Sequence, residues 1–251
     1  MNLSGNTVLI TGGTSGIGYA LAQAFLAAGS TVLICGRSPA HLAAAQEKHP
    51  ALHTHVCDIS LEQDRTGLLA WATKNFPTLN ILVNNAGVQR DIDFTAGLGE
   101  FLAGENEIRI NLEAPITLSG LFIPLLAKNP APAIVNISSG LGFVPAARMP
   151  VYSASKAGLH AFSMALRLQL APTGIKLFEV VPPAVDTNLN PQGRAKRGNF
   201  KPDLQPETFV AAVMQGFADD VFEIGFGTSA HSLRASRAEL DRAFQVMNSQ
   251  M

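Results

Sequence analysis

Cysteine, net charge and long apolar runs are all scarce in this 251-residue chain. Its two cysteines, Cys35 and Cys57, cannot build a disulfide framework or a zinc site, so we expect inert buried thiols in a reducing cytoplasm. The net charge of −1 offers no electrostatic basis for binding nucleic acid or an anionic membrane surface. Because only 15% of the residues are charged and 47% are apolar, we expect a well-packed globule that buries part of its surface in a homo-oligomer, either a dimer or a tetramer.

Signals for membrane insertion, export and metal binding are missing as well. No run approaches the roughly 18 uninterrupted apolar residues of a membrane span. The N-terminal MNLSGN leads straight into the strand-like TVLIT without a basic stretch, an apolar core or a cleavage site, so we expect no secretory signal and a cytoplasmic location. His53 and His55 share a strand face, but no further ligand lies at metal spacing, so no metal site is predicted.

Short β-branched segments alternate with longer helical segments along the chain. Strands are predicted at 7–11, 31–35, 52–58, 80–86, 133–139, 176–183 and 221–227, and helices at 16–28, 39–48, 62–75, 100–127, 151–171 and 206–218. Strands that are apolar on both faces and separated by helices predict a parallel sheet covered on both sides. Residues 1–251 are therefore predicted to form a single doubly wound Rossmann-type α/β domain of about seven parallel strands with helices on both faces.

Two segments fall outside this alternation. The polar stretch 188–206 is too long for an ordinary connection, and loops of that length are functional or disordered, so we predict a substrate lid there. A lid that closes on an anion and a solvated basic loop both explain its four charges, which are Arg194, Lys196, Arg197 and Lys201. An apolar stripe of helical spacing near the end predicts a C-terminal helix at about 232–248, packed against the domain or a partner subunit.

Ligands of open α/β sheets bind outside the carboxyl ends of the strands, so residues that follow the strands are the first candidates for a site. The first strand ends in TGGTSGIG (11–18) and leads into a helix, where glycines allow a tight turn and the approach of a pyrophosphate. An ordinary glycine turn is the alternative, but the strand–turn–helix context favours a dinucleotide, and Tyr19 stands where a P-loop needs lysine. The predicted cofactor contacts in this turn are Gly12, Thr14, Ser15, Gly16, Ile17 and Gly18.

The second strand ends in CGRS, with no acidic residue to bind a ribose 2′-hydroxyl. Arg37 suits a 2′-phosphate instead, which favours NADP(H) over NAD(H); a solvated arginine and an NAD(H) enzyme are the alternatives. At the next two strand ends, we predict that Asp58 accepts from the adenine amino group and that Gly87 lets the backbone run beside the cofactor. Ordinary turn chemistry is the alternative explanation for both. The remaining predicted contacts there are Ile59, Asn84 and Ala86.

The fifth strand ends in a Ser-Ser pair that includes Ser139, and the next helix carries Tyr152 and Lys156. At positions i and i+4, the phenol and the ammonium lie on one helix face. This spacing is common by chance, but here it follows hydroxyl side chains in a chain whose first turn suits a dinucleotide. Asn111, in EIRINLEAP, falls within a predicted helix although asparagine is a mediocre helix former, and an N-cap for a helix that begins at Leu112 is one explanation.

In combination these residues resemble the short-chain dehydrogenase/reductase family. TGxxxGxG at 11–18, NNAG at 84–87, Asn111, Ser139 and YxxxK at 152–156 occur in that family's order and spacing, and the resemblance covers about residues 5–228. Within the family, the segments NTVLITGG, CGRS, LNILVNNAG and PPAVDTNL are similar to the DltE-type oxidoreductases. The resemblance implies an enzyme that interconverts a small-molecule carbonyl and an alcohol with NAD(P) as hydride carrier.

The resemblance also implies a role for each site residue. A free phenol has a pKa of about 10, and Lys156 together with an oxidised nicotinamide would favour the phenolate, so that Tyr152 acts as general acid/base. Ser139 is implied to hydrogen-bond the same substrate oxygen, and Lys156 to bind the nicotinamide ribose. Asn111 is implied to break its helix locally and to hold a water that relays protons to the lysine.

After the sixth strand, three residues are implied to contact the nicotinamide end of the cofactor: Pro182, Val185 and Thr187. Pro183 replaces the family's glycine there, and because proline fixes φ and lacks an N–H, the backbone path beside the nicotinamide is expected to differ. The alternative function is a catalytically silent dinucleotide-binding sensor or scaffold, which has no need of Tyr, Lys, Ser and Asn together. Serine hydrolysis lacks its G-x-S-x-G elbow.

Overall fold

The computed structural model describes residues 1–196, 198 and 201–249. Its centre is a sheet of seven parallel strands in the order β3-β2-β1-β4-β5-β6-β7. The strands are β1 (Thr7–Thr11), β2 (Thr31–Gly36), β3 (Leu52–Val56), β4 (Ile81–Asn84), β5 (Ala133–Ile137), β6 (Lys176–Val181) and β7 (Glu223–Gly225). The predicted doubly wound Rossmann-type domain is thereby confirmed.

Helices cover both faces of the sheet. They are α1 (Gly16–Ala27), α2 (Pro39–Lys48), α3 (Glu62–Asn75), α4 (Gly99–Leu102), α5 (Ala114–Leu126), α6 (Pro150–Leu170), α7 (Pro191–Lys196), α8 (Pro206–Ala218), α9 (Thr228–Ser232) and α10 (Arg237–Asn248). Successive residues of β1 alternate between two buried cores, because side chains of a strand point to opposite faces. Val8 and Ile10 pack with α1, α2 and α8, while Leu9 packs with α3, α5 and α6.

The long helix predicted at 100–127 is two separate helices. The short α4 ends at Leu102, and a second helix begins at Glu107 and continues through α5. Its first turns contain a π-helical segment, Arg109–Glu113, which includes Asn111. A π turn inserts one extra residue into the helix, and such turns are frequent at functional sites.

The C-terminal helix begins later than the sequence predicts. The predicted range 232–248 contains the end of α9 and the whole of α10, which starts at Arg237. The helix begins there because Ser236 and Glu239 form a capping box, in which each side chain bonds the backbone N–H of the other residue. Across the residues that the structure describes, no helix combines the length and the apolar content needed to cross a membrane.

The predicted lid segment 188–206 contains the short helix α7. Asn190 precedes it in the left-handed region, with φ of 53°, and its side-chain oxygen accepts from the backbone N–H of Gly193. Arg194 and Lys201 both lie close to the carboxylate of Asp186, at 3.7 and 3.0 Å. Arg197, one of the four basic residues of the segment, lies outside the described residues.

Candidate active site

A cleft of about 1180 Å³ opens at the carboxyl ends of the strands, where the sequence predicts the site. It is lined by residues that follow six of the seven strands, together with residues of α6, α9 and α10. All of the predicted cofactor residues except Asn84 line this cleft: Gly12, Thr14, Ser15, Gly16, Ile17, Gly18, Arg37, Asp58, Ile59, Ala86, Gly87, Tyr152, Lys156, Pro182, Val185 and Thr187.

The glycine turn after β1 has the shape of a cradle that only glycine permits. Gly12 has φ of +65°, and a Cβ atom there would lie 2.8 Å from Cα of Ala86. Gly16, the first residue of α1, has φ of +54° and packs against the methyl group of Thr187. The helix N-terminus is therefore open towards the cleft, and a dinucleotide pyrophosphate fits this chemistry of free backbone amides.

The NNAG segment is anchored to the glycine turn by Asn85, a residue for which the sequence predicts no role. Its side-chain amide donates to the backbone oxygens of Thr11 and Gly12, at 2.9 and 3.2 Å. The hydroxyl of Thr11 in turn accepts from the backbone N–H groups of Asn85 and Ala86, both at 3.0 Å. Asn84 is the last residue of a strand that is buried on both faces, so Asn85 is the first residue beyond that strand at the edge where the site lies. This position could have identified Asn85 from the sequence.

The side chain of Asn84, a predicted cofactor contact, does not line the cleft. That side chain points into the core, where its amide nitrogen donates to Oδ1 of Asn136 at 2.9 Å and to the hydroxyl of Ser119 at 3.2 Å. Asn84 is 2% exposed, and the hydrogen bonds of its amide nitrogen join β4 to β5 and α5. The donors of a buried amide need such partners, because leaving them unbonded costs free energy.

At the end of the cleft beside β2 and β3, Arg37 lies at the rim and forms an ion pair with Glu105. Both side chains are about half exposed, so the pair is screened by solvent. Asp58 is held by its own turn: Oδ1 accepts from the backbone N–H of Ser60 at 2.9 Å, and its backbone N–H donates to Asp64 at 2.7 Å. The structure thus brings the predicted Arg37 and Asp58 to one end of the cleft.

Tyr152 and Lys156 lie on one face of α6, with Nζ of Lys156 5.8 Å from the centre of the Tyr152 ring. Burial raises the pKa of Tyr152 to about 12, although its hydrogen bond with Ser139 opposes that rise. Burial also lowers the pKa of Lys156 to about 8, against the attraction of Glu179, which favours the ammonium. The ammonium is directed by a 2.8 Å hydrogen bond to the backbone oxygen of Ile137, at the end of β5.

Ser139 stands where its hydroxyl serves two neighbours. As the N-cap of the single 3₁₀ turn Gly140–Gly142, its oxygen accepts from the backbone N–H of Leu141 at 3.1 Å. The same hydroxyl lies close enough to the phenol of Tyr152 to favour its phenolate form. Side chains from β5 and α6 therefore converge on one point of the cleft wall, which can hold an oxygen atom between two hydroxyl groups.

Asn111 lies behind this point, within the π segment. Its Oδ1 accepts from the backbone N–H of Val88 at 2.9 Å, and its Nδ2 donates to the oxygen of Val88 at 2.8 Å and to Ser155 at 3.1 Å. The N-cap explanation for Asn111 is wrong, because the helix has already begun at Glu107. Gly87 allows Asn111 and Lys156 to approach the chain here, since a Cβ atom at Gly87 would lie 3.2 Å from Oδ1 and 3.7 Å from Nζ.

The far end of the cleft is mostly apolar and is built from segments distant in sequence. The loop before α6 supplies the largest share, and α10 closes the end with two residues: Leu141, Val144, Ala146, Met149, Leu189, Ala243 and Met247 form this wall. Asn248 of α10 fastens the helix to that loop, with bonds to the oxygen of Pro145 at 3.1 Å and the N–H of Ala147 at 2.7 Å. No local pattern identifies these residues, because only folding brings the C-terminus to the cleft.

Comparison with known proteins agrees with this architecture. The family model described as short chain dehydrogenase matches residues 6–198. The uncharacterized oxidoreductase DltE of Bacillus subtilis (strain 168) is 46% identical over 251 residues, which is 100% of this chain and 99% of that protein.

Two solved structures share the fold over nearly their whole length. A short-chain dehydrogenase from Sphingobium yanoikuyae in complex with NADPH superimposes with a TM-score of 0.77 at 28% identity, covering 98% of this chain and 96% of that one. A short chain dehydrogenase/reductase from Burkholderia phymatum in complex with NAD gives 0.82 at 19% identity, covering 99% and 97%. The chain belongs to the short-chain dehydrogenase/reductase family of oxidoreductases.

Proposed function

We propose that this protein is an NAD(P)-dependent oxidoreductase that interconverts a small-molecule carbonyl and an alcohol, with Tyr152 as general acid/base and NADP(H) as the preferred cofactor. The observation that carries the proposal is the meeting of the Tyr152 phenol with Ser139, one helical turn from Lys156, inside the cleft. The glycine cradle and Arg37 at the other end of the same cleft support a dinucleotide. The complexes of the two structural neighbours, with NADPH and with NAD, agree with that class of cofactor.

A bound nicotinamide dinucleotide supplies or accepts the hydride. The pKa of Tyr152, raised to about 12, keeps the phenol protonated at neutral pH, which suits a donor of a proton to a carbonyl oxygen. Ser139 orients that oxygen with its hydroxyl, and the Lys156 ammonium stabilises the phenolate that remains. In the reverse direction, Tyr152 takes the proton of the alcohol. Asn111 holds Val88 in place and positions Ser155 on α6.

Replacing the phenol tests the proposed acid/base. Tyr152→Phe removes the transferable proton and one hydroxyl while keeping the ring, so we expect turnover of a carbonyl panel to fall by about 10²- to 10⁴-fold. NADPH binding, followed by its fluorescence, should change little, because the phenol acts on the substrate. A silent sensor or scaffold would bind NADPH, reduce no carbonyl of the panel and show no effect of Tyr152→Phe.

The cofactor preference depends on Arg37. Arg37→Gln removes a charge-assisted bond to a 2′-phosphate, so we expect the ratio of kcat/KM for NADPH over NADH to fall by about 10- to 100-fold. Arg148→Gln is a matched control, since Arg148 lines the opposite part of the cleft and should leave the ratio unchanged. Glu105→Gln frees Arg37 from its ion pair and should lower the KM for NADPH. A wild-type enzyme with a strong NADH preference would contradict this assignment.

Three further expectations belong to the proposal. Asn188, Leu189, Arg194 and Pro202 line the cleft, which supports a substrate lid at 188–206. Exposed apolar side chains on α5 and α6 support a homo-oligomer, a dimer or a tetramer. The free and buried thiols of Cys35 and Cys57 agree with a cytoplasmic location, where such thiols stay reduced.

A further inference from the structure

A row of polar side chains crosses the sheet directly beside the catalytic groups, one on each of four neighbouring strands. Asn84, Asn136, Glu179 and Glu223 are successive register partners on β4, β5, β6 and β7. Each is hydrogen-bonded to a side chain of a covering helix: Ser119, Ser163, His160 and Arg167, at 3.2, 2.9, 2.8 and 2.9 Å. Glu179 differs from the others, because it is the fully buried carboxyl group of the row.

The surroundings of Glu179 satisfy only half of its carboxylate. Oε2 is hydrogen-bonded to Nδ1 of His160 at 2.8 Å, while the buried Oε1 has no hydrogen-bond partner among the described residues. A buried negative charge is expensive unless a cation or several donors compensate it. Its retention in the middle of a sheet therefore calls for a nearby cation.

His160 is the side chain at ion-pair distance from Glu179, and one helical turn before it on α6 stands a second, buried cation, Lys156. Its Nζ donates to the backbone oxygen of Ile137, which is the residue after Asn136, the register partner of Glu179. Lys156 and His160 are at positions i and i+4 of α6, so both lie on the helix face that covers β5 and β6. The attraction of Glu179 favours the charged form of Lys156 and opposes the desolvation that lowers its pKa to about 8.

His160 separates the carboxylate from solvent. Its side chain is 23% exposed, and its ring packs against Phe143, with the ring centres 4.5 Å apart. The hydrogen bond to Glu179 raises the pKa of His160, while burial and Arg167 lower it and Glu223 raises it. The charged groups around Glu179 are therefore Lys156, His160 and Arg167 from α6 and Glu223 from β7.

We propose that Glu179 is a positioning residue of the active site: held by His160, its buried carboxylate keeps the Lys156 ammonium charged and directed at the Tyr152 end of the cleft. The proposal rests on the function proposed above only for its kinetic consequence. Neither Glu179 nor His160 lines the cleft, so both act through Lys156. The negative charge of Glu179 thereby stabilises the Lys156 ammonium from outside the cleft.

The sign of the effect follows from the burial of Lys156. In Glu179→Gln, the shape of the side chain and its hydrogen bond to His160 remain, and only the negative charge is lost. Desolvation then acts on Lys156 with less opposition, so its ammonium loses the proton at lower pH. Carbonyl reduction requires that ammonium, and its rate should therefore begin to fall at lower pH than in the wild type.

The experiment measures the protonation of Lys156 in two ways, by chemical modification and by enzyme activity. In the cofactor-free protein, the rate of Lys156 acetylation by acetic anhydride, measured by mass spectrometry across about pH 6–10, reports the loss of its proton. We expect Glu179→Gln to lower the pH midpoint of Lys156 acetylation by about one unit. The pH at which NADPH-dependent kcat falls on the alkaline side should decrease by a similar amount. Glu223→Gln is the matched control, because Glu223 occupies the next position of the row but is partly exposed, and should leave the midpoint unchanged.

Two variants of His160 separate orientation from packing. His160→Asn keeps an N–H donor for Glu179 and should retain a midpoint near that of the wild type. His160→Phe removes the hydrogen bond that holds the carboxylate in place, so the midpoint should fall towards that of Glu179→Gln. An unchanged midpoint in a folded Glu179→Gln protein, or equal shifts in Glu179→Gln and Glu223→Gln, would overturn the proposal. If no carbonyl is reduced at all, the proposed function fails while the acetylation midpoint still decides the role of Glu179.

Discussion

A second buried carboxyl group, that of Glu107, shows how single residues acquire unusual chemistry from their surroundings. Glu107 is 1% exposed, its Oε1 accepts from the backbone N–H of Arg90 at 3.0 Å, and its Oε2 has no partner among the described residues. It lies one helical turn before Asn111, so the two side chains hold Val88 and Arg90 against the same helix face. Burial raises the pKa of Glu107 to about 7.

This pKa makes stability depend on pH. The carboxyl group binds its proton more tightly in the folded chain than in the unfolded chain, where its pKa is about 4.3. Its contribution to stability is therefore complete below about pH 4 and is lost as the pH rises through about 7. Glu107→Gln keeps an acceptor for Arg90 and cannot ionise, so the free energy of unfolding should decline less between pH 5 and 8, by about 2–3 kcal/mol.

Urea denaturation of the wild type and of Glu107→Gln, at pH 5 and at pH 8, measures this difference in the free energy of unfolding. Glu47→Gln is the control for loss of a carboxylate, since Glu47 is exposed on α2 and should leave the pH dependence as in the wild type. An equal decline in Glu107→Gln and the wild type would show that Glu107 is not protonated in the folded protein at neutral pH.

At the scale of an element, two glycines inside helices have opposite reasons to be there. Gly18 lies in α1, where a Cβ atom would overlap the side-chain amide of Asn85 and lie 2.5 Å from the backbone oxygen of Gly12. Gly67 lies in α3, where a Cβ atom would meet no other atom within 4 Å. Close packing of α1 against the glycine turn therefore requires Gly18, whereas Gly67 only weakens α3.

The same substitution should thus have opposite results at the two sites. Gly67→Ala should raise the free energy of unfolding by up to about 1 kcal/mol, because alanine is the better helix former. Gly18→Ala should lower it and weaken NADPH binding, because Asn85 must move and its bonds to Thr11 and Gly12 are disturbed. Thermal unfolding and NADPH titration of both variants check this, and similar effects at the two sites would contradict it.

At the scale of the whole molecule, the outer surface of α5 and α6 is unusually apolar for a chain of low charge. Leu168 is 79% exposed, Met164 on the preceding turn is 50% exposed, and Ile116 on α5 is 39% exposed. Met164 and Leu168 are one helical turn apart on α6, and apolar patches on the surface of soluble proteins mark protein–protein contacts. We expect this surface to be buried between copies of the chain.

A charge in the middle of that surface should separate the copies. Leu168→Glu should shift the mass measured by light scattering at micromolar concentration from an oligomer towards the monomer, because the buried carboxylate has no partner. Val246→Glu is the control, since Val246 on α10 is 75% exposed and lies away from α5 and α6. A wild type that is monomeric under these conditions would contradict the proposed homo-oligomer.

The succession of strands and helices, the parallel sheet and the edge at which the site lies could all be predicted from the sequence. These features follow from local periodicity and from the rule that parallel strands end at one edge. The glycine turn and the Tyr152–Lys156 spacing could also be identified from the chain alone. Element ends were less well predicted: the strand expected at 80–86 is Ile81–Asn84, because an apolar pattern does not show where ladder hydrogen bonds stop.

Which polar groups are buried, and what they bind, depends on how the whole chain packs. Asn84 and Asn85 are neighbours of the same type, yet Asn84 joins strands in the core and Asn85 holds the glycine turn. Glu107 and Glu179 have no local signature, because their charge states depend on desolvation and on partners elsewhere, such as His160, 19 residues from Glu179. Burial is a property of the packed chain, and the chemistry of Tyr152 and Lys156 depends on it.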